Sequence, residues 1–198
     1  DLARVLEGSR LVEIGRIPTQ FAPWGMAATP DGRHIIVASG RSQKDNSVGN
    51  TISIIDVNRA AAGTGDAEVA RILVGTENPE EPTLPMIPSV TPNGEEVIIP
   101  NLFANNVSIV SLELALAGDP NAEVARVSLV RADGRPARPR GSAVTSDGRY
   151  AVISGGAGAQ PFSQEIGHVY VIDLGSRGVV GTVTGVGNDP YGLTTVSR

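Results

Sequence analysis

Apolar residues run through this chain in short blocks rich in Val, Ile and Thr, with polar or turn-forming residues between them. The blocks "RHIIVAS", "TISIIDV", "EVARILV", "EVIIP", "NVSIVSL", "EVARVSLV", "RYAVISG", "HVYVIDL" and "GVVGTVTGV" have the length and the β-branched content of strands. Helical periodicity is absent, and even "SLELALAGD" reads best as a strand running into a loop. The pattern predicts an all-β fold.

The blocks recur in a fixed order. "ATPDGRHIIVASG", "VTPNGEEVIIPN" and "VTSDGRYAVISG" each place a short strand, a turn and an apolar strand in succession. The turn pairs Asp31-Gly32, Asn93-Gly94 and Asp147-Gly148 predict two-residue hairpins with positive φ. A third strand follows ("TISIIDV", "NVSIVSL", "HVYVIDL"), then a fourth ("AEVARILVG", "AEVARVSLV", "VVGTVTGVG"). Asp31, Asn93 and Asp147 are 62 and 54 positions apart. That exceeds the ~40–45 residues of a compact four-stranded blade, and the excess fits insertions at "GRSQKDNSVGN", "GTENPEEPTLPM", "RADGRPARPR" and "GGAGAQPFSQEIG". Repeated units of four antiparallel strands describe a β-propeller, with units at 23–75, 86–130 and 140–186. The small residues Gly25, Ala27, Gly141, Ala143 and Gly192 fit inner strands crowded around a central channel.

"PWGMAATPDGRHIIVAS", "NTISIIDV" and "DPYGLTTV" resemble the YVTN-type β-propeller repeat. That repeat runs Pro-x-Gly-x-Ala-x-Thr-Pro-Asp-Gly, an apolar strand, then Asn-x-Val-x-Val-Ile-Asp. The resemblance covers nearly the whole chain. The second unit departs most, with Ser111 in place of the Asp after the third strand and no early Gly in "MIPSVTPNG". The resemblance implies a bladed domain of a kind commonly secreted, periplasmic or at the cell surface. Such domains include binding scaffolds and enzymes.

"VLEGSRLVEIGRIP" at the start aligns with "IDLGSRGVVGTVTG" of the third unit, sharing Gly-Ser-Arg at 8–10 and 175–177. Residues 2–17 and 190–196 are therefore expected to meet in a closing blade of three strands, making four blades in all. The alternative is a piece of a seven-bladed propeller. "DLARVLEG" carries no Met and no signal peptide, which points to a processed or trimmed start.

Composition narrows the function classes. The 198 residues are 40% hydrophobic, enough for one substantial core or a few repeated ones. A net charge of -5 argues against a nucleic-acid partner. No apolar run approaches the ~20 residues of a membrane helix. Zero Cys excludes disulfides, thiolate metal sites and c-type haem attachment.

Candidate chemistry is sparse. His34 and His168 lack a second His at ligand spacing, whereas a metal site needs several converging ligands. "SGGAGAQP" lacks the following helix that a phosphate loop requires and reads as a mobile hairpin loop. "RADGRPARPR" carries Arg131, Arg135, Arg138 and Arg140 on a Pro-stiffened connection. It reads as a solvated connection or as a docking surface, because guanidinium forks bind carboxylate and phosphate bidentately. "GTENPEEPTLP", with Glu77, Glu80 and Glu81, reads as a solvated loop, as a partner of the Arg segment or as a weak cation site. Trp24 and Tyr191 occupy matching positions and are expected to pack between blades.

Two function classes follow. The first is a non-catalytic extracytoplasmic binding or scaffold propeller, an accessory subunit with a protein partner. It needs no cofactor and no catalytic or metal residue, and Arg131, Arg135, Arg138 and Arg140 are its candidate partner-binding positions. The second is a propeller enzyme, either a lactonase-like hydrolase or a quinoprotein-like dehydrogenase. Asp45, Asn46, Asn50, Asn101, Asn105 and Asn106 are the loop-placed groups such a hydrolase could use. One Trp and no Cys disfavour the quinoprotein.

Overall fold

A computed structural model describes residues 2–10, 12–156 and 166–196. Among the described residues twelve strands form three antiparallel sheets of four, each in simple sequence order. The first holds β1 (Pro23–Ala28), β2 (His34–Ser39), β3 (Thr51–Asp56) and β4 (Glu68–Leu73). The second holds β5 (Ser89–Val90), β6 (Glu96–Asn101), β7 (Asn106–Ser111) and β8 (Glu123–Ser128). The third holds β9 (Ser142–Val144), β10 (Tyr150–Gly155), β11 (Ile166–Asp173) and β12 (Gly178–Asn188). These are propeller-type blades.

The recurring turn differs from the two-residue hairpin expected. Only the Gly has positive φ: +69° at Gly32, +77° at Gly94 and +72° at Gly148. The loop holds four residues and is closed by Thr29, whose N–H donates to the His34 carbonyl at 2.9 Å. Thr29 Oγ1 donates to Asp31 Oδ1 (2.6 Å) and accepts from His34 N (3.0 Å), while Asp31 Oδ1 also accepts from Arg33 N. Thr91 with Asn93 and Thr145 with Asp147 repeat the arrangement. A Thr and an Asp or Asn thus serve backbone N–H groups that the tight loop leaves without a ladder partner.

Blades pack through apolar faces. One core joins Ile36, Ile52 and Ile54 of the first blade to Val97, Ile99 and Val110 of the second. Another joins Ile98, Val107 and Ile109 to Ile153, Tyr170 and Ile172 of the third. Polar bridges reinforce both joints. Arg177 Nη1 donates to Glu96 Oε2 at 2.9 Å across the second joint. At the first, Asn106 Nδ2 donates to the Gly75 carbonyl and Gly75 N donates to Glu123 Oε1, both at 2.9 Å.

Two further sequence-based expectations are corrected. "SLELALAGD" is not a strand end but contains the helix α3, Leu112–Leu116, capped by Ser111 Oγ accepting from Leu114 N. The equivalent α2, Val57–Ala61, is capped by Asp56. One-turn helices are too short to show a period, and their side-chain caps outweigh it. The expected closing blade does not form either. Residues Leu2–Leu6 form a helix, α1, as a run containing four strong helix formers can. Residues 190–196 carry no strand and do not pair with it. They lie along the third blade instead, where Thr195 Oγ1 donates to the Val144 carbonyl (2.7 Å) and Ser154 Oγ to the Tyr191 carbonyl (3.0 Å). The three blades do not close into a ring.

Candidate functional site

Strand direction sorts the loops onto two ends. The turns at 29–34, 91–96 and 145–150 share one end with α2 and α3. The opposite end gathers the long connections 40–50, 74–88, 101–106 and 129–141, together with residues 189–196. Long connections on a rigid scaffold are where binding groups are usually carried.

At the mouth of this loop-bearing end, four equivalent positions converge. Trp24, Met86 and Arg140 each lie five residues before the turn Thr of their unit, each directly after a Pro, and Tyr191 follows Pro190. Trp24 Nε1 donates to Tyr191 Oη at 2.7 Å. The Arg140 guanidinium stands 5.0 Å from the Tyr191 ring centroid and pairs with Asp189 at 3.1 Å. Beneath them Tyr191 packs on Leu84, Met86 and Leu102. Trp24 remains 47% exposed, and Phe103, at the same end, is also exposed. A phenol flanked by an indole and a guanidinium offers a partner both apolar area and hydrogen-bonding groups.

The local backbone explains this convergence. A Cβ on Gly25 would sit 2.5 Å from the Met86 carbonyl oxygen, and one on Gly141 would sit 2.3 Å from that of Tyr191. Each first strand therefore presses against the start of a neighbouring segment, which draws the post-proline side chains together. Gly192 has no such neighbour, so crowding does not account for it.

The four arginines of 131–140 have different settings. Arg131 is buried, its side chain 2% exposed, and it pairs with Asp133 (2.7 Å) and donates to the Gly156 carbonyl (3.2 Å). Arg140 is buried at the loop-bearing end, its side chain 9% exposed. Arg138 is half-buried with φ +48°, and its N–H donates to Asn105 Oδ1 at 2.9 Å. Arg135 is the exposed member, paired with Asp133 at 2.9 Å. The bonds from Arg131, Arg135 N–H and Arg135 hold the Asp133 carboxyl well below the usual carboxylate range.

The acidic stretch does not meet this segment. Arg126 of β8 holds its proton more tightly than usual, first through its hydrogen bond to Glu123 and only secondarily through the charges of Glu77 and Glu81, and Glu81 accepts from Thr76 Oγ1 at 2.6 Å. The loop-placed amides and carboxylate are engaged separately. Asn50 bonds Gln20 and the Pro79 and Glu81 carbonyls, and Asn101 bonds Asn106 and Ser108 inside the first blade joint. Asn105 receives Arg138 N, and Asn46 receives Arg41. Asp45 is lowered to about 2 by hydrogen bonds from Ser47 and Ser42. His34 begins β2 at the turn end, while His168 lies in β11 toward the loop end, its ring 6.3 Å from that of Tyr170. Among the described residues no group of three or more His, Asp or Glu side chains is placed to share a metal ion. No described helix is long and apolar enough to cross a membrane. "SGGAGAQP" is flanked by β10 and β11, and its residues from 157 on lie outside the described residues.

No family model matches the chain, and no curated protein matches it. Solved structures do. The structure of U3-55K is 13% identical, with a TM-score of 0.65 over 91% of this chain and 45% of that one. The WD40 repeats of RRP9 are 12% identical, with a TM-score of 0.65 over 91% of this chain and 44% of that one. The chain thus spans less than half the length of these structures. At such identity the likeness establishes a propeller-type blade architecture alone.

Proposed function

We propose that this chain is a non-catalytic binding scaffold of the YVTN type, working outside the cytoplasm as an accessory subunit and holding a protein partner at its loop-bearing end. The observation that carries this reading is the loop-end cluster of Trp24, Tyr191 and Arg140, with exposed Phe103 at the same end. Trp, Tyr and Arg are the residue types that dominate protein interfaces when a partner excludes water around them. The propeller-type architecture supports the scaffold role, since such blades hold their loops rigidly. The extracytoplasmic setting rests on the resemblance of the repeat.

Within this reading the docking segment 131–140 divides its labour. Arg131 and Arg140 hold the mouth in shape through Asp133 and Asp189, and Arg135 meets the partner. The test is quantitative capture from the envelope fraction of the source organism with three baits. Wild type and Arg149→Ser, altered at the opposite end, retain the same partner in stoichiometric amount. Trp24→Ala loses it. Equal retention by all three baits overturns the assignment of the loop-bearing end.

A further inference from the structure

The residue directly before the recurring Pro has positive φ in three units: +52° at Leu84, +48° at Arg138 and +47° at Asp189. Bulky side chains rarely adopt that backbone, and a following Pro disfavours it further. Two of the three side chains are used inside the fold. Leu84 packs on Met86 and Leu102, and Asp189 pairs with Arg140 at 3.1 Å. Arg138 differs. Its guanidinium makes no hydrogen bond or ion pair among the described residues, and its Nη1 is buried without an acceptor. A buried donor is costly to leave in that state.

The adjacent units account for the difference. The Arg140–Asp189 ion pair joins the post-proline residue of one unit to the pre-proline residue of the next. One unit earlier the matching residues are Met86 and Arg138. Met86 is buried and brings a thioether where Arg138 calls for an oxygen anion. Nearby carboxylates are already engaged: Arg131 and Arg135 share Asp133, and Arg140 takes Asp189. Both blades flanking this joint have all four strands, so the setting of Arg138 is internal to the series. Asn105, with φ +54°, fixes that setting. Its Oδ1 accepts from Arg138 N at 2.9 Å, its Nδ2 donates to the Phe103 carbonyl at 3.1 Å, and its own carbonyl accepts from Leu129 N at 2.9 Å. One residue thereby ties the connections 101–106 and 129–141 together, and these carry the exposed Phe103 and Val130.

We propose that Arg138 receives a side-chain carboxylate of the protein partner, from an Asp or Glu next to an apolar residue that meets Phe103. This rests on the loop-bearing end being the partner's site. A guanidinium fork matches a carboxylate with two parallel N–H bonds. One unpaired cation balances a monoanion, whereas a phosphate dianion calls for a second. Within 131–140 the other three arginines are already paired. The partner's acid completes at Arg138 the kind of charge pair that Asp189 completes at Arg140.

Peptides selected from a random phage-displayed library on the 198-residue protein test this, with Trp24→Ala marking the end of the molecule at which they bind. The selected peptides are expected to share an Asp or Glu beside an apolar residue. Replacing that acid by its amide should weaken binding to wild type by at least about tenfold and change nothing in Arg138→Met. A circular dichroism melt checks that the variant folds. If it does not, Arg138→Lys keeps the stem and the charge without the fork, and must weaken the acidic peptide more than its amide form. Peptides released by Trp24→Ala that share no acid, or whose acid matters equally in the Arg138 variant, overturn the carboxylate assignment and leave the loop-bearing end as the partner's site. A library that yields no binder, or only peptides indifferent to Trp24→Ala, overturns both.

Discussion

Thr29, Thr91 and Thr145 are the residues that make the repeat legible in three dimensions. Each closes its loop with its own hydroxyl, and each holds an Asx side chain whose oxygen also accepts from the N–H two residues on. Hydrogen bonds from Thr29 Oγ1 and Arg33 N–H lower the Asp31 carboxyl below its usual range, and Thr145 Oγ1 and Arg149 N–H do the same to Asp147. A carboxyl depressed in the folded state is protonated more readily by the unfolded chain. Its contribution is therefore complete above the unfolded value and is lost as pH falls through the folded one. Asn93 already performs the task without a charge, accepting from Thr91 Oγ1 at 2.6 Å and from Glu95 N at 3.1 Å. The double variant Asp31→Asn, Asp147→Asn should therefore melt like wild type at neutral pH and lose less stability on acidification. Thermal melts from about pH 7 down to about pH 2.5 read the difference. An unchanged acid limb would remove these carboxylates from the account. The Asx-Gly pair and the Thr before it are visible in the sequence, but the role of the Thr is not, because it depends on a hydroxyl meeting an N–H five residues on.

At the scale of the element, strands were the easiest features to read, since each is a β-branched run bounded by turn residues. Two devices between strands escaped notice. The first is the helix cap: Asp56 opens α2 and Ser111 opens α3, each accepting from the N–H three residues on. Asp173 holds Ser176 N in the third blade at 2.8 Å. The departure of Ser111 from the repeat pattern thus preserves the chemistry, since a hydroxyl and a carboxylate cap alike. Ser111→Ala should cost ~1 kcal/mol in urea unfolding, and Ser111→Asp should cost little. Equal stability of the Ala variant would show that packing of Leu112 and Ala115 holds the helix without its cap. The second device is a bulge in every outer strand. Ile54 faces Ala70 while Ile55 faces Glu68, so Val69 is the extra residue. Val124 and Val180 occupy the same place in the other blades. A bulge breaks the two-residue alternation from which strand faces are read, so sequence periodicity conceals it.

At the largest scale the described residues form a series of three blades joined by two apolar cores, with their chemistry gathered at one end. The near-identity of "AEVARILV" and "AEVARVSLV" is enough to reveal repetition. It does not show that the post-proline positions of successive units face one mouth, so Trp24, Met86, Arg140 and Tyr191 could not be recognised as neighbours. The four arginines illustrate the same limit: a cluster in sequence becomes two buried side chains, one half-buried and one exposed. Whether the loop-bearing end recognises a partner is the central question, and hydrogen exchange on the purified complex addresses it most directly. The account predicts slowed exchange on binding in the connections 40–50, 74–88, 101–106 and 129–141, with the turns at 29–34, 91–96 and 145–150 unchanged. Protection confined to those turns and to α2 and α3 would place the partner at the other end and contradict it.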